Sequence, residues 1–135
     1  NIKYLTINYN QKNIGKKILL ILKNNNIHMI CLAGFMRILS KNFIRKFKGK
    51  ILNIHPSLLP KYKGLDTHER VLKNKEKYTG ATVHLVNSKL DSGKIITQKR
   101  IMVLKKDNKK SLEKKVLKIE HKIYPEAIKI LLTNY

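Results

Sequence analysis

Carboxylates are scarce in this sequence: 8 Asp and Glu stand against 30 Lys and Arg, a formal net charge of +22. Such an imbalance invites a nucleic-acid reading, but arginine is scarce as well. The basic residues are 26 Lys and 4 Arg, in the company of 18 Ile and 13 Asn. Lys, Ile and Asn share A/T-rich codons, so a coding bias inflates all three and leaves Arg rare. Specific readers of bases and phosphates lean on Arg. No paired-aromatic RNA-binding pattern is present, and the lysines are spread along the chain. The expectation is a solvated lysine surface with sequence-blind, salt-sensitive attraction to polyanions and no specific nucleic-acid partner.

Long apolar runs are lacking too. Ile18–Leu22 and Met29–Met36 are the longest candidates, well short of the roughly 18 residues of a membrane span, so no membrane partner is expected. Residues 1–15 are polar and mixed, without the apolar centre of a signal peptide. The single cysteine, Cys31, lies inside an apolar run. It can form no internal disulfide and is expected to be a buried small hydrophobe. Together these features favour a reducing, cytoplasmic compartment. Five histidines, one cysteine and few carboxylates make no ligand cluster, so no metal is expected.

What is present is 42% hydrophobic residue content in 135 residues, enough for the core of one domain. Ile2–Asn8 alternates and is β-branched, which predicts a short strand. Ile14, Ile18, Leu19, Ile21 and Leu22 recur at helical spacing within Asn13–Asn24. His28–Ala33, followed by Gly34, reads as a parallel strand buried on both faces. Ser40 can cap a short helix through Phe47, and Ile51–Ile54 is a further buried strand. Pro56 and Pro60 make residues 55–65 a loop. Thr67–Lys75 follows as a helix with Asp66 as its cap, then strands over Gly80–Val86 and Ile95–Val103. Ser111 caps a long terminal helix whose apolar side carries Leu112, Val116, Ile119, Ile123, Ile128 and Leu131. The order βαβαβ, a β–β pair and a helix predicts an α/β fold, its sheet parallel in the first half and mixed later.

In such sheets ligands collect at the carboxyl ends of strands. One end reads Asn53-Ile54-His55-Pro56-Ser57. Asn53 and His55 are two apart and share a face of an extended chain, while Ile54 points into packing. An amide donor beside a group that titrates near neutrality is what acyl-type transfer needs. One stabilises a developing oxyanion and the other moves a proton. For an isolated pair, a histidine that merely bonds a nearby carbonyl is the better explanation. The extended string NIHPSLLP (53–60), with two prolines spent on the loop, is harder to assign to packing. A second polar end, Leu90-Asp91-Ser92-Gly93, holds one of only three aspartates. Alone Asp91 reads as a turn residue; beside His55 it can orient the imidazole and favour its charged form. His84 alternates with Val83 and Leu85 and ranks below these three. His68 and His121 read as structural or surface residues. On pattern alone Met36–Leu39 reads as core, and Glu120 as a solvated helix residue.

LAGFMRILS (32–40), ILNIHPSLLPKYKGLDTHERVL (51–72) and GATVHLVNSKLDSGKII (80–96) closely resemble the folate-dependent phosphoribosylglycinamide formyltransferases, collinearly over nearly the whole chain. The resemblance implies a Rossmann-like formyltransferase fold over residues 1–135, with glycinamide ribonucleotide as acceptor and 10-formyltetrahydrofolate as donor and co-substrate. It makes Asn53, His55 and Asp91 the catalytic set. Folate binding falls to Met36, Arg37, Ile38 and Leu39, to Asn53, and to Asn87, Ser88, Lys89, Leu90 and Asp91; ribonucleotide binding falls to Glu120. The departures are specific. The family opens with a strand and a glycine-rich, phosphate-holding turn, whereas this sequence aligns from the second βα unit. A unit of roughly 30 residues or more is therefore expected to lie outside the stretch given, leaving the domain N-terminally incomplete and the phosphate site with it. A folate-facing arginine falls at Gln11, a ribonucleotide-binding Lys or Gln falls at Leu117, and Asp66 fills a usually polar loop position. Two sister activities share the three residues: formylation of initiator methionyl-tRNA, whose loop resembles HGSLLPRWRG rather than HPSLLPKYKG, and deformylation of the folate by water. A truncated, non-catalytic remnant is the remaining alternative.

Overall fold

The structure is a computed structural model that describes residues 2–133. Four strands, β1 (Met29–Leu32), β2 (Lys50–His55), β3 (Tyr78–Leu85) and β4 (Ile95–Met102), form one sheet in the order β1-β2-β3-β4. β1 runs parallel to β2, and the other two pairings are antiparallel. The sheet is thus parallel only at its first pair and mixed beyond it. Helices α1 (Ile14–Asn24), α2 (Lys41–Lys46), α3 (Thr67–Lys73) and α4 (Lys109–Thr133) complete the fold.

Two apolar clusters flank the sheet. The apolar face of α4 supplies Val116, Ile123, Ala127 and Leu131, which pack with Leu52, Ala81 and Val83 of β2 and β3. On the other side Phe43, Phe47 and Ile51 gather Ile18, Leu19 and Leu22 of α1, the residues whose helical spacing predicted that element. Ser40 caps α2 by accepting from the Phe43 N–H at 3.1 Å. Pro125 lies inside α4, and the α-helical assignment runs unbroken through it.

Several sequence expectations are corrected. Residues 2–7 form no strand: Ile2 and Tyr4 are 95% and 91% exposed. A β-branched pattern makes a strand only where a neighbour supplies the ladder, and among the described residues β1 pairs with β2 alone. β1 is accordingly an edge strand of intermediate and exposed residues, not one buried on both faces. Cys31 within it is exposed. Asp66 adopts a left-handed backbone and makes no capping bond. At α4, Ser111 is not the cap residue. The Asn108 side chain accepts from the Ser111 N–H at 2.9 Å and the Ser111 hydroxyl accepts from the Asn108 N–H at 3.0 Å, a reciprocal box one turn earlier.

Candidate active site

β2 ends where its chain leaves the sheet, and Asn53 and His55 both line a cavity of 570 Å³ there. Their shared face follows from the two-residue spacing in an extended strand. Asp91 reaches the same place from the loop after β3, which doubles back over its own strand. That fold-back requires Gly93. A Cβ there would lie 1.5 Å from the Leu85 carbonyl oxygen, which no side chain tolerates. The loop is held by an amide–carbonyl bond from Leu85 to Lys94 at 2.9 Å.

The result is a compact polar centre. His55 Nδ1 lies 3.4 Å from Asp91 Oδ2, and both side chains are 7% exposed. His55 Nε2 lies 2.8 Å from the Tyr62 carbonyl. The Tyr62 carbonyl accepts a hydrogen from Nε2, and a ring that also carries one on Nδ1 presents it to Asp91. Asp91 Oδ2 also accepts the Gly64 N–H at 2.8 Å, and Oδ1 lies 3.6 Å from His84 Nε2. Burial pushes the Asp91 carboxyl up. The hydrogen bond from His84, the Gly64 N–H and the nearby imidazole charges outweigh it, and the group sits below its ordinary value.

His84 belongs to this centre. Its Nδ1 donates to the Leu85 carbonyl at 2.9 Å, and its Nε2 stands 3.5 Å from Asn53 Nδ2. A neutral ring therefore offers Asn53 an acceptor, and the doubly protonated ring offers Asp91 a donor. The β3 alternation had set His84 apart from its apolar neighbours, and burial to 2% exposure is the feature that pattern could not supply. His68, expected to be structural or superficial, also lines the cavity. Its Nδ1 is buried without a partner, and burial is the first cause lowering its pKa.

The loop beneath is pinned from β3 and β4. Thr82 donates to the Ser57 carbonyl at 2.7 Å and accepts from Leu59 N at 3.1 Å and from Gln98 Nε2 at 2.7 Å. Three non-glycine residues around the cavity, Tyr62, Asp66 and Asp91, have φ of 57°, 55° and 43°. Left-handed backbone is costly for such residues and gathers at functional sites.

The segment Met36–Leu39 lines the cavity: Met36 and Ile38 are 83% and 78% exposed rather than core, and only Leu39 also packs on the Phe43, Phe47 and Ile51 cluster. Met36 and Ile38, leaving an edge strand, stay largely exposed. Arg37 is a lining residue as well and stacks over the Tyr9 ring at 4.6 Å. Asn87, Ser88, Lys89 and Leu90 form another wall. Glu120 of α4 lines the same cavity and is not the solvated helix residue its surroundings in the sequence suggested. Burial raises its pKa, and no hydrogen bond or ion pair holds its carboxyl among the described residues. A desolvated, unpaired carboxylate of this kind suits a cationic or multiply donating group.

The formyl transferase family model matches residues 8–128. The chain belongs to that family. The human trifunctional purine biosynthetic protein adenosine-3 is 45% identical over 115 residues, covering 85% of this chain and 11% of that protein. Crystal structures of phosphoribosylglycinamide formyltransferases show the same fold. That from Anaplasma phagocytophilum has a TM-score of 0.86 at 40% identity, over 90% of this chain and 59% of that one. That from Brucella melitensis has 0.81 at 45% identity, over 89% and 62%. The chain therefore spans about three fifths of these solved relatives and about a tenth of the curated one. The family's α/β formyltransferase fold is the one described above, with its mixed sheet and long C-terminal helix. No helix among the described residues is long and apolar enough to cross a membrane, and no group of three potential metal ligands occurs among them.

Proposed function

We propose that the chain carries the formyl-transfer site of an enzyme that moves a formyl group from 10-formyltetrahydrofolate to the amine of glycinamide ribonucleotide. The observation that carries this reading is the meeting of an amide donor, an imidazole and an ionised carboxylate, Asn53, His55 and Asp91, in one cavity. Family membership and the names borne by its relatives favour the ribonucleotide amine over tRNA or water as acceptor.

Asn53 donates through Nδ2 to the formyl oxygen as the amine adds and charge develops there. Preorganised donors of this kind are worth about 3–4 kcal/mol. His55 supplies positive charge and a proton beside the same oxygen. Its Nε2–H, held at rest by the Tyr62 carbonyl, must exchange that carbonyl for the substrate. Asp91 keeps the ring oriented through Nδ1 and supports proton relay to the departing folate nitrogen.

The cavity is of a size for such a co-substrate, since small-molecule pockets run from about 300 to 1,000 Å³. Met36, Ile38 and Leu39 offer apolar cover for a flat heteroaromatic ring, with Arg37 at its edge. Asn87, Ser88, Lys89 and Leu90 close the opposite side. Glu120 receives the ribonucleotide's amine or hydroxyl donors. A reducing, cytoplasmic setting accords with an exposed lone thiol at Cys31.

The test is a formyl-transfer assay with 10-formyltetrahydrofolate and glycinamide ribonucleotide. Formylated ribonucleotide forming in wild type and lost in His55→Ala supports the reading. Formate release that ignores the acceptor would replace it with deformylation.

A further inference from the structure

The ladder between β1 and β2 ends at the Leu32–Asn53 pair. Beyond it the two chains part. One runs into the exposed Met36–Leu39 wall of the cavity, and the other continues through Asn53 to His55. A parallel pair that splays at its carboxyl end forms the crevice where α/β proteins bind ligands. A splayed end also leaves carbonyls that the ladder no longer satisfies.

Tyr124 stands at that fork. Its hydroxyl donates to the Leu32 carbonyl at 2.6 Å and lies 3.3 Å from the Leu52 carbonyl. One side chain of α4 thus ties the last residue of β1 to the residue just before Asn53. Glu120 is one helical turn earlier, on the same face of α4. A smaller cavity of 360 Å³, lined by Gly34, Ile54, Leu117, Glu120 and Tyr124, adjoins the main one and shares its first four of these residues. Burial, followed by the nearby Cys31 thiol, raises the phenol's pKa, so the hydroxyl stays a donor.

We infer that Tyr124 is a positioning residue of the active site, whose hydroxyl sets the spacing between Asn53, the Met36–Leu39 wall and Glu120. The far end of that wall is anchored by Leu39, which packs on the Phe43, Phe47 and Ile51 cluster, and little fixes the stretch before it. Met36 and Ile38 are exposed, and beyond its root the segment is held by Phe35 edge-on to Tyr9 and Arg37 over the same ring. The placement of its near end relative to Asn53 is therefore set where the two strands separate. The hydroxyl, not the ring, makes the tie. The ring packs with the α4–sheet cluster and survives replacement by phenylalanine.

This inference rests on the formyl-transfer reading for its consequence, though not for its geometry. Tyr124→Phe and a control, Val116→Ala, separate position from stability. Val116 is fully buried in the same cluster and lines neither cavity. Two readouts serve: the dissociation constant for 5-formyltetrahydrofolate as a folate probe, and the NMR resonances of the Asn53 side-chain amide in the free protein. In Tyr124→Phe the Asn53 amide resonances should shift and probe affinity should fall about tenfold, the cost of re-ordering on binding strand ends that the hydroxyl no longer preorganises. In Val116→Ala, with at least as large a fall in melting temperature, the affinity should stay within about twofold and the resonances unmoved. Unchanged Asn53 resonances in Tyr124→Phe would overturn the inference, as would a probe affinity lowered equally by both variants. If the wild type binds no folate probe, formyl transfer is the reading that fails, and the Asn53 resonances alone decide the role of Tyr124. Should Tyr124→Phe not fold, the wild type decides. A Tyr124 hydroxyl proton exchanging slowly, with a dipolar contact to the Asn53 amide, supports the tie, and a freely exchanging hydroxyl refutes it.

Discussion

Replacing Asp91 by asparagine removes a charge while leaving shape and most hydrogen bonding in place. Asp91 Oδ2 accepts from Gly64 N at 2.8 Å and faces His55 Nδ1 at 3.4 Å. An asparagine oxygen at that position keeps both contacts. Its amide then points at His84 Nε2, which accepts when the ring is neutral with hydrogen on Nδ1, the nitrogen bonded to Leu85 O. The fold should therefore lose little. The lost quantity is the attraction between a carboxylate and the His55 imidazolium. At that separation and an effective dielectric near 20 it is on the order of 4–5 kcal/mol before solvent and desolvation are counted. Taking roughly half as surviving, kcat for formyl transfer should fall about 30- to 60-fold, at about 1.4 kcal/mol per tenfold. The melting temperature should shift by only a few degrees.

The pH dependence supplies a second check. Asp91 has a depressed pKa in the fold, so its contribution to stability is present above the unfolded value and lost as pH falls through the folded one. Asp91→Asn should flatten the acid end of the wild-type stability curve below about pH 4. Unchanged kcat with an intact fold would refute the electrostatic role. A loss of activity matched by a loss of folded protein would make Asp91 a structural residue.

Three further outcomes follow from other parts of the molecule. Leu52→Ala, at a fully buried position in the core, should cost about 2–5 kcal/mol in chemical denaturation; a cost under about 1 kcal/mol would mean that α4 does not pack on β2 as described. Asp107 is lowered to about 2, first by its bond to Lys115 and then by the Leu104 N–H. Asp107→Asn should therefore lower the melting temperature at neutral pH, with the difference fading as pH drops from about 4 toward 2. Binding to RNA or DNA should be sequence-blind and disappear at moderate salt, as counterion release requires. Sequence-selective binding at such salt, measured by competition, would revive a tRNA acceptor.

The parts of the fold legible in the sequence are those decided by short-range geometry. Helical spacing marked α1 and the buried face of α4, and the prolines marked the loop after β2. The two-residue step placed Asn53 and His55 on one side. What the sequence concealed depends on neighbours. Ile2–Asn8 has the pattern of a strand and lacks a partner among the described residues. Cys31 has apolar company in sequence and an open edge in space. Met36 and Ile38 read as core because an apolar run carries no sign of whether anything covers it. At Asp66 the left-handed backbone, which no local pattern announces, removes the cap that composition suggested.

The charge of the chain was the loudest signal in the sequence, and the polar centre around Asp91 is built apart from it. With 26 lysines available, the polar partners of Asp91 are two histidines and a backbone N–H, none of them a lysine. Lysine meets four other carboxylates instead: Lys61 pairs with Glu76, Lys109 with Glu69 and Asp66, and Lys115 with Asp107. The exposed pairs among these add little to stability. Lys63, the nearest in sequence to the Asp91 partner Gly64, is bonded to Ser92 rather than to the carboxylate. An ammonium on Asp91 would compete with His55 for the same oxygens and weaken the orientation that the imidazole needs. A lysine-rich surface is compatible with this chemistry because the loop after β3 holds Asp91 beneath Gly64 and between two imidazoles, so that, among the described residues, none of the lysines, Lys89 and Lys109 of the cavity wall included, is its partner.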